Sequence, residues 1–324
     1  MRWTASVAPP RDVSPPNLAV PRGAAFLFDR YFIINVMSLG GLTMPDVLPV
    51  PTLDHVVINV RDRIVEGAET FRRLGFTLTP RGYHTLGSMN HLAMFGNEYL
   101  ELIAAPTAET RRPEILNSPE GLNGLVFGTD DADGTYAALH AAGVPVDPPR
   151  QFSRPVELPG GARDATFRTV NLSDGAVTAG RVYFCHHLTR DLVWRDEWRH
   201  HANGVIGVSR AVIAARDPAS VGAMFARMFG GDAVRVGANR CSLAVGLSQF
   251  DVITPDALTN EFGEAAPDGT GRIQFMASLG LRTRSLRSAA AALAAGGVSG
   301  VRQSADRIVV PASSAFGATL VFHE

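Results

Sequence analysis

Three side chains able to hold a metal or move a proton sit in strand-like runs of this 324-residue chain: His55 in LDHVVINV, Glu101 in EYLELIA and His186 in VYFCHHL. Two imidazoles and one carboxylate at a common point would suit a divalent iron, manganese or zinc ion with positions left open for substrate. Such an ion can chelate two neighbouring oxygens and stabilise an enediolate, or activate dioxygen if it is iron. Taken singly, each residue is more often structural, because a histidine on a strand beside polar neighbours is usually just hydrogen-bonded.

A second cluster, His84, Ser88, Asn90 and His91, precedes the YLELI strand. His84 is a candidate general base, since its ordinary pKa lies near neutrality, and Asn90 and Ser88 can meet substrate oxygens. The competing account is a turn held by Asn and Ser side chains.

Strands alternate their side chains, so His55, Val57 and Asn59 share one face of the first run. Tyr99, Glu101 and Ile103 share a face of the second, and His186 shares one with Val182 and Phe184. The helical pattern after Arg61-Asp62, with Ala68, Phe71 and Leu74 on one side, ends at Gly75, and three short strands follow. The same order returns from VSRAVIAA at Val208, through a helix containing Met224, Phe225 and Met228, to SQFDVIT. Aligning the two places His55 on Arg210 and Glu101 on Asp251. Weaker copies begin at GLVFGT and RIQFMASLG, which gives four units paired two and two. In the second pair a possible ion pair replaces the ligand pair, and arginine is not a metal ligand at ordinary pH.

The LDHVVI opening, the order of elements and the strand ending in YLELI resemble the vicinal-oxygen-chelate superfamily. The segment GYHTLGSMNHLAMFGNEYLELI is similar to its glyoxalase-like branch. The resemblance implies an α+β fold of four βαβββ modules paired into two incompletely closed eight-stranded cups. It also implies metal ligands His55, Glu101 and His186, the last matching the superfamily's final ligand position. The fourth family position falls near Gly124 or Leu125, neither of which can bind through a side chain. His84 and Glu101 are the expected catalytic groups, and Asn90, Ser88 and Asn59 the expected substrate contacts. The stretch HHLTRDLVWRDEWRHHANGV also resembles the branch; Trp194 and Trp198, four apart, are expected to pack one helical face against the cup, with His201 and Asn203 shaping the entry to the second half. The implied function is metal-dependent lyase, isomerase or ring-cleaving dioxygenase chemistry on a small oxygenated metabolite. The alternative is a non-catalytic binding protein of the bleomycin-resistance type.

Composition sets the remaining expectations. A chain that is 46% hydrophobic and 19% charged buries an ordinary core, and a net charge of −1 offers no long-range attraction to nucleic acid or anionic lipid. Cys185 and Cys241 lie in different halves, which argues against a disulfide framework and fits the cytoplasm. No apolar run reaches the roughly 18 residues of a membrane span. The proline-rich residues 1–50 are read as a disordered or misassigned extension, with the physiological start at Met44. An N-terminal domain over 51–200 holds the candidate site, and a C-terminal domain over 201–324 holds a degenerate one. A small molecule is the expected partner, with the chain as monomer or homodimer.

Overall fold

The computed structural model describes residues 48, 49, 51–107 and 111–324. All of the suggested extension except Leu48 and Pro49 lies outside the described residues, as does the suggested start at Met44.

The first half runs β1 (Leu53–Asn59), α1 (Ile64–Arg73), β2 (Gly82–Tyr83), β3 (Met89–Met94) and β4 (Tyr99–Ala104). After the short helix α2 (Pro113–Asn117) come β5 (Gly121–Gly128), α3 (Ala132–Ala141), β6 (Arg150–Val156), β7 (Arg163–Asn171) and β8 (Arg181–His187). These eight strands form one sheet in the order β2-β3-β4-β1-β5-β8-β7-β6. β1 pairs parallel with β4 and antiparallel with β5, so the two modules meet along the first strand of each. The sheet curls until its outer edges approach: the Thr85 amide donates to the Ser153 carbonyl at 2.9 Å.

The second half repeats the plan. It runs β9 (Val205–Ala215), α4 (Pro218–Phe229), β10 (Val234–Gly237), β11 (Arg240–Val245) and β12 (Ser248–Ile253), then α5 (Pro255–Phe262). β13 (Gln274–Thr283), α6 (Leu286–Ala295), β14 (Arg302–Gln303), β15 (Ile308–Val310) and β16 (Thr319–His323) complete it. The strand order is β10-β11-β12-β9-β13-β16-β15-β14, the same permutation as in the first sheet. The α+β plan of four modules in two cups expected from the repeat is therefore the observed one.

Local chemistry sets the ends of these elements. Asp217 caps α4 by accepting from the Ala219 and Ser220 amides, and Ser285 caps α6 through the Ser288 amide. Gly75 follows α1 with φ +88°, a conformation that a side chain would oppose.

Each strand divides its side chains between two environments. Val56 and Ile58 of β1 face outward into the main core, with Leu100, Leu102, Val182 and Phe184. Phe127, Phe184 and Phe229 meet in that core, and the Phe127–Phe229 ring centroids lie 5.0 Å apart. The inner face of the first cup carries Val57, Leu92, Tyr99, Ile103, Phe167, Tyr183 and Cys185.

The expected helix around Trp194 and Trp198 is instead two short 3₁₀ turns, Arg190–Leu192 and Asp196–Trp198. Trp194 is held by ring contacts with Tyr99 and His187 at 5.4 and 4.7 Å. His201 accepts from the Thr77 amide and donates to the Met94 carbonyl, while the fully buried Asn203 donates to the Leu74 carbonyl. Both tie the connecting segment to the first half. Both cysteines are buried and free. Among the described residues no helix is long and apolar enough to cross a membrane.

Candidate functional site

β1 and β4 lie side by side in parallel, with His55 opposite Tyr99 and Val57 opposite Glu101. That register and the alternation of side chains bring His55 and Glu101 together inside the first cup. His55 Nε2 is 3.8 Å from Glu101 Oε2, and both residues are buried. The imidazole stacks on the Tyr99 ring with centroids 4.4 Å apart.

Two partners orient His55. Its Nδ1–H donates to Asp54 Oδ1 at 2.6 Å, which leaves the Nε2 lone pair pointing into the cup, where the Tyr183 hydroxyl donates to it at 2.9 Å. Neighbouring strand residues ordinarily face opposite ways. Here a register shift between Leu53 and His55 breaks the alternation, and the Asp54 carboxylate reaches the ring of the next residue. The same Asp54 oxygen accepts His187 Nε2–H at 3.0 Å. Burial works to raise the Asp54 pKa, but the charge and hydrogen bond of His187, together with those of His55, outweigh it and bring it down to about 2.

Glu101 is held from its other side. Asn90 donates to Glu101 Oε1 at 2.6 Å and also to His84 Nε2 at 3.3 Å, so His84 carries its proton on Nδ1 and donates it to Ser88 Oγ at 2.9 Å. Burial, with Arg154 and Arg112 near, takes the His84 pKa down to about 4, and the ring is neutral near pH 7. Burial pushes the Glu101 carboxyl upward, yet His55, His84, the Asn90 amide and Arg181 together hold it below the ordinary value. It is a carboxylate at neutral pH. Burial drives the Tyr183 and Tyr99 phenols well above their usual value, so both keep their protons.

These groups open onto a cavity of about 570 Å³, within the range of small-molecule sites. His55, His84, Asn90, Glu101, Tyr99 and Tyr183 all line it. The glycine at the fourth family position, Gly124, lies opposite Val57, and a Cβ there would come within 2.7 Å of that side chain.

Three expected site residues stand elsewhere. His186 is on the outward face of β8 with Val182 and Phe184, beside Arg168, whose guanidinium pairs with Asp133 of α3 at 2.6 Å. It does not converge with His55 and Glu101. The physical reason is the phase of β8: its aliphatic and aromatic Val182 and Phe184 fill the core, and Tyr183, Cys185 and His187 turn inward. Asn59 is buried, but its amide donates to the carbonyls of Ile115, Ser118 and Pro119 and its oxygen accepts from the Arg61 amide. It secures the α2 connection and has no group left for a substrate. Ser88 does not line the cavity and acts on it through His84.

Asp54, Tyr183 and His187 are site residues that the sequence pattern does not single out. Asp54 depends on the bulge, which leaves no trace in the residue pattern. The other two follow once β8 is phased as β1 is, with its polar members inward.

His55 and Glu101 are the pair suited to a metal. A donor separation of 3.8 Å lies within what one ion bridges with bonds of about 2.0–2.2 Å, and the Asp54 carboxylate behind His55 is the support that metal-bound imidazoles carry. Asp54, Cys185 and His187 also bring donor atoms within 4.8 Å of one another. There, however, one Asp54 oxygen already receives both histidines, and burial pushes the Cys185 thiol well above its usual value. That cluster is built as support for His55.

A family model described as a glyoxalase-like domain matches residues 53–229. A crystal structure of a hypothetical protein from Staphylococcus aureus is similar at TM-score 0.61 and 12% identity, over 85% of this chain and 99% of that one. A mutant 4-hydroxymandelate synthase from Streptomyces coelicolor is similar at TM-score 0.54 and 13% identity, over 86% and 94%. A fusion of a xylose isomerase-like TIM barrel with a 4-hydroxyphenylpyruvate dioxygenase is similar at TM-score 0.55 and 11% identity, over 89% of this chain and 51% of that one. At these identities the likeness is one of fold. No curated protein matches the sequence.

Proposed function

The chain belongs to the glyoxalase-like domain family, and on that premise we propose that its first cup is the active site of an enzyme acting on a small oxygenated metabolite. One observation carries the reading: a buried imidazole, backed by a carboxylate and facing a second carboxylate 3.8 Å away, opens onto a cavity of substrate size. Oriented and desolvated groups of this kind cost stability and are expected where chemistry repays it.

A divalent iron, manganese or zinc ion on His55 and Glu101 would supply chelation of two neighbouring substrate oxygens, for lyase, isomerase or dioxygenase chemistry. The protein's own part is positional. Asp54 sets the His55 tautomer, Asn90 and the neutral His84 fix the Glu101 carboxylate, and Tyr183 presents a protonated phenol to the same space. The two free cysteines suit a reducing compartment, and a cytoplasmic setting is part of the proposal.

The Tyr183 hydroxyl favours a second reading without metal. It donates to the lone pair of His55, so Tyr183 could take a proton from a substrate group as it passes its own to the imidazole, whose positive charge the Asp54 carboxylate would then balance.

Metal analysis of the purified full chain separates these readings. Stoichiometric metal that disappears in His55→Ala and Glu101→Ala, with circular dichroism unchanged, supports the chelating enzyme. A metal-free protein whose turnover is lost in Tyr183→Phe supports the relay. A metal-free protein without turnover would leave a binding protein and sink the enzyme reading, and turnover that survives all three changes would sink this site.

A further inference from the structure

Among the described residues, two guanidinium groups in the first cup make no direct ion pair. Arg154, on β6, is only 6% exposed and lines the cavity. Among the described residues its guanidinium has no hydrogen bond and no ion pair. Arg181, at the start of β8, lines the same cavity, and its Nη2 is buried without a partner. The Glu101 carboxylate acts on both at longer range but bonds to neither: its Oε1 accepts from Asn90 and its Oε2 lies 3.8 Å from His55.

Arg154 is also closely packed against the neighbouring edge strand. A Cβ on Gly82 would lie 2.5 Å from Asn90 Oδ1, 3.0 Å from Arg154 Cδ and 3.1 Å from its Nη1, so the glycine lets β2 pass close to both side chains. An unpaired charge taken out of water is expensive, and a protein keeps one where a ligand completes the pair. Phe152 and Phe167, stacked at 5.2 Å, line the cavity with Leu92 and Ile103 and offer an apolar bed beside the charge.

We propose that the first cup binds a small organic anion, its carboxylate or phosphate held by Arg154 with Arg181 and its apolar body lying against Phe152 and Phe167. The planar fork of arginine matches either head group in a two-bond contact. Burial pulls Arg154 below its usual value even though Tyr99 and Glu101 work in the other direction. This inference rests on the enzyme reading only for the statement that the bound acid is the one turned over; the recognition stands apart from it.

The test is calorimetric titration of the full chain with phenylacetate, phenyl phosphate and the neutral phenylacetamide. At least one anion is expected to bind about tenfold or more tighter than the amide, the difference that charge-assisted hydrogen bonds make. The preferred anion tells carboxylate from phosphate. Arg154→Met is expected to abolish the preference and, in anion-free buffer, to melt at a higher temperature than the parent, because it removes a buried charge with no partner. Arg181→Gln is expected to weaken anion binding with the fold intact, and it decides the matter if Arg154→Met does not fold. Equal binding of anions and amide, no binding of any of the three, a preference that survives both changes, or a folded Arg154→Met that melts lower would each overturn the proposal. Anion selectivity in a protein without metal or turnover would sink the enzyme reading alone; metal and turnover without anion selectivity would sink this one alone.

Discussion

The two cups share a strand order and a register and differ in what fills them. In the first, His55 and Glu101 face a cavity; in the second, the equivalent positions hold Arg210 and Asp251, joined at 2.6 Å from Nε to Oδ2. The connector after the fourth strand accounts for much of the contrast. In the first cup it forms the five-residue α2, whose one buried side chain is Ile115. In the second it forms α5, which drives Leu258 and Phe262 into the cup beside Val212, Ile253 and Phe275 and lends Glu261 as another partner for Arg210. A curled sheet of this kind is therefore a vessel, and the segment between its modules determines whether it becomes a binding site or a second core. Charges in the filled cup pair with one another. Those in the open cup are partly left for something from outside.

The sharpest way to break this contrast is to exchange function for stability at matched positions. His55→Ala is expected to cut turnover on the order of 10³-fold, the range of lost acid–base or ligand groups, whereas Arg210→Met at the matched position leaves turnover unchanged. Turnover that responds equally to both would end the distinction. Phe262→Ala is expected to destabilise by about 3–5 kcal/mol in urea denaturation, as large-to-small changes in packed interiors do. A cost below about 1 kcal/mol would mean that α5 only lies across the cup. Asp251→Ala leaves Arg210 with Glu261 alone and is expected to cost about 3 kcal/mol, with ligand binding in the first cup untouched.

How far the sequence carried this picture depends on which layer supplied the signal. The repeat and the alternation in LDHVVINV and EYLELIA were enough to pair β1 with β4 and to put His55 beside Glu101, because β-branched runs and a period of two are read directly. The structure gives VYFCHHL the opposite phase to the one expected. Two adjacent histidines offered both faces, and choosing His186 put Phe184 inside the cup, although the outward core needs the aliphatic and aromatic set. Applying the phase of β1, polar inward, selects Tyr183 and His187. Asn59 was on the inward face as expected, but three backbone carbonyls of the α2 connection claim its amide, and such a demand appears only in three dimensions. Arg154 sits in a weak copy of the repeat, where an arginine on a strand reads as a solvent-facing residue. Its burial follows from the closeness of β2 to β6.

Asp54→Asn tests the support beneath His55. The amide keeps the size but loses the charge that receives both His55 and His187, so turnover is expected to fall about ten- to a hundredfold, the usual cost of removing such a partner. Equal turnover in the variant would reduce Asp54 to a packing role. The second cup offers no such lever, since the position matching Asp54 holds Ser209, an uncharged hydroxyl 2.6 Å from His323 Nε2.

The smallest expected effect separates the cups by pH. His84 has its pKa lowered to about 4 by burial, against about 6.5 in an unfolded chain. Between these values the unfolded chain takes up a proton that the folded one refuses. The stability linked to His84 is therefore whole above pH 6.5 and lost as the pH falls toward about 4, by roughly 1–3 kcal/mol. Asp54, lowered to about 2, loses its contribution only below its ordinary 3.8, so the two windows do not overlap. Arg210 keeps its charge throughout. Urea denaturation at intervals from pH 7 to pH 4 should then show a slope that flattens in His84→Gln and persists in Arg210→Met; identical slopes in the parent and His84→Gln would show that the imidazole is not held neutral in the open cup.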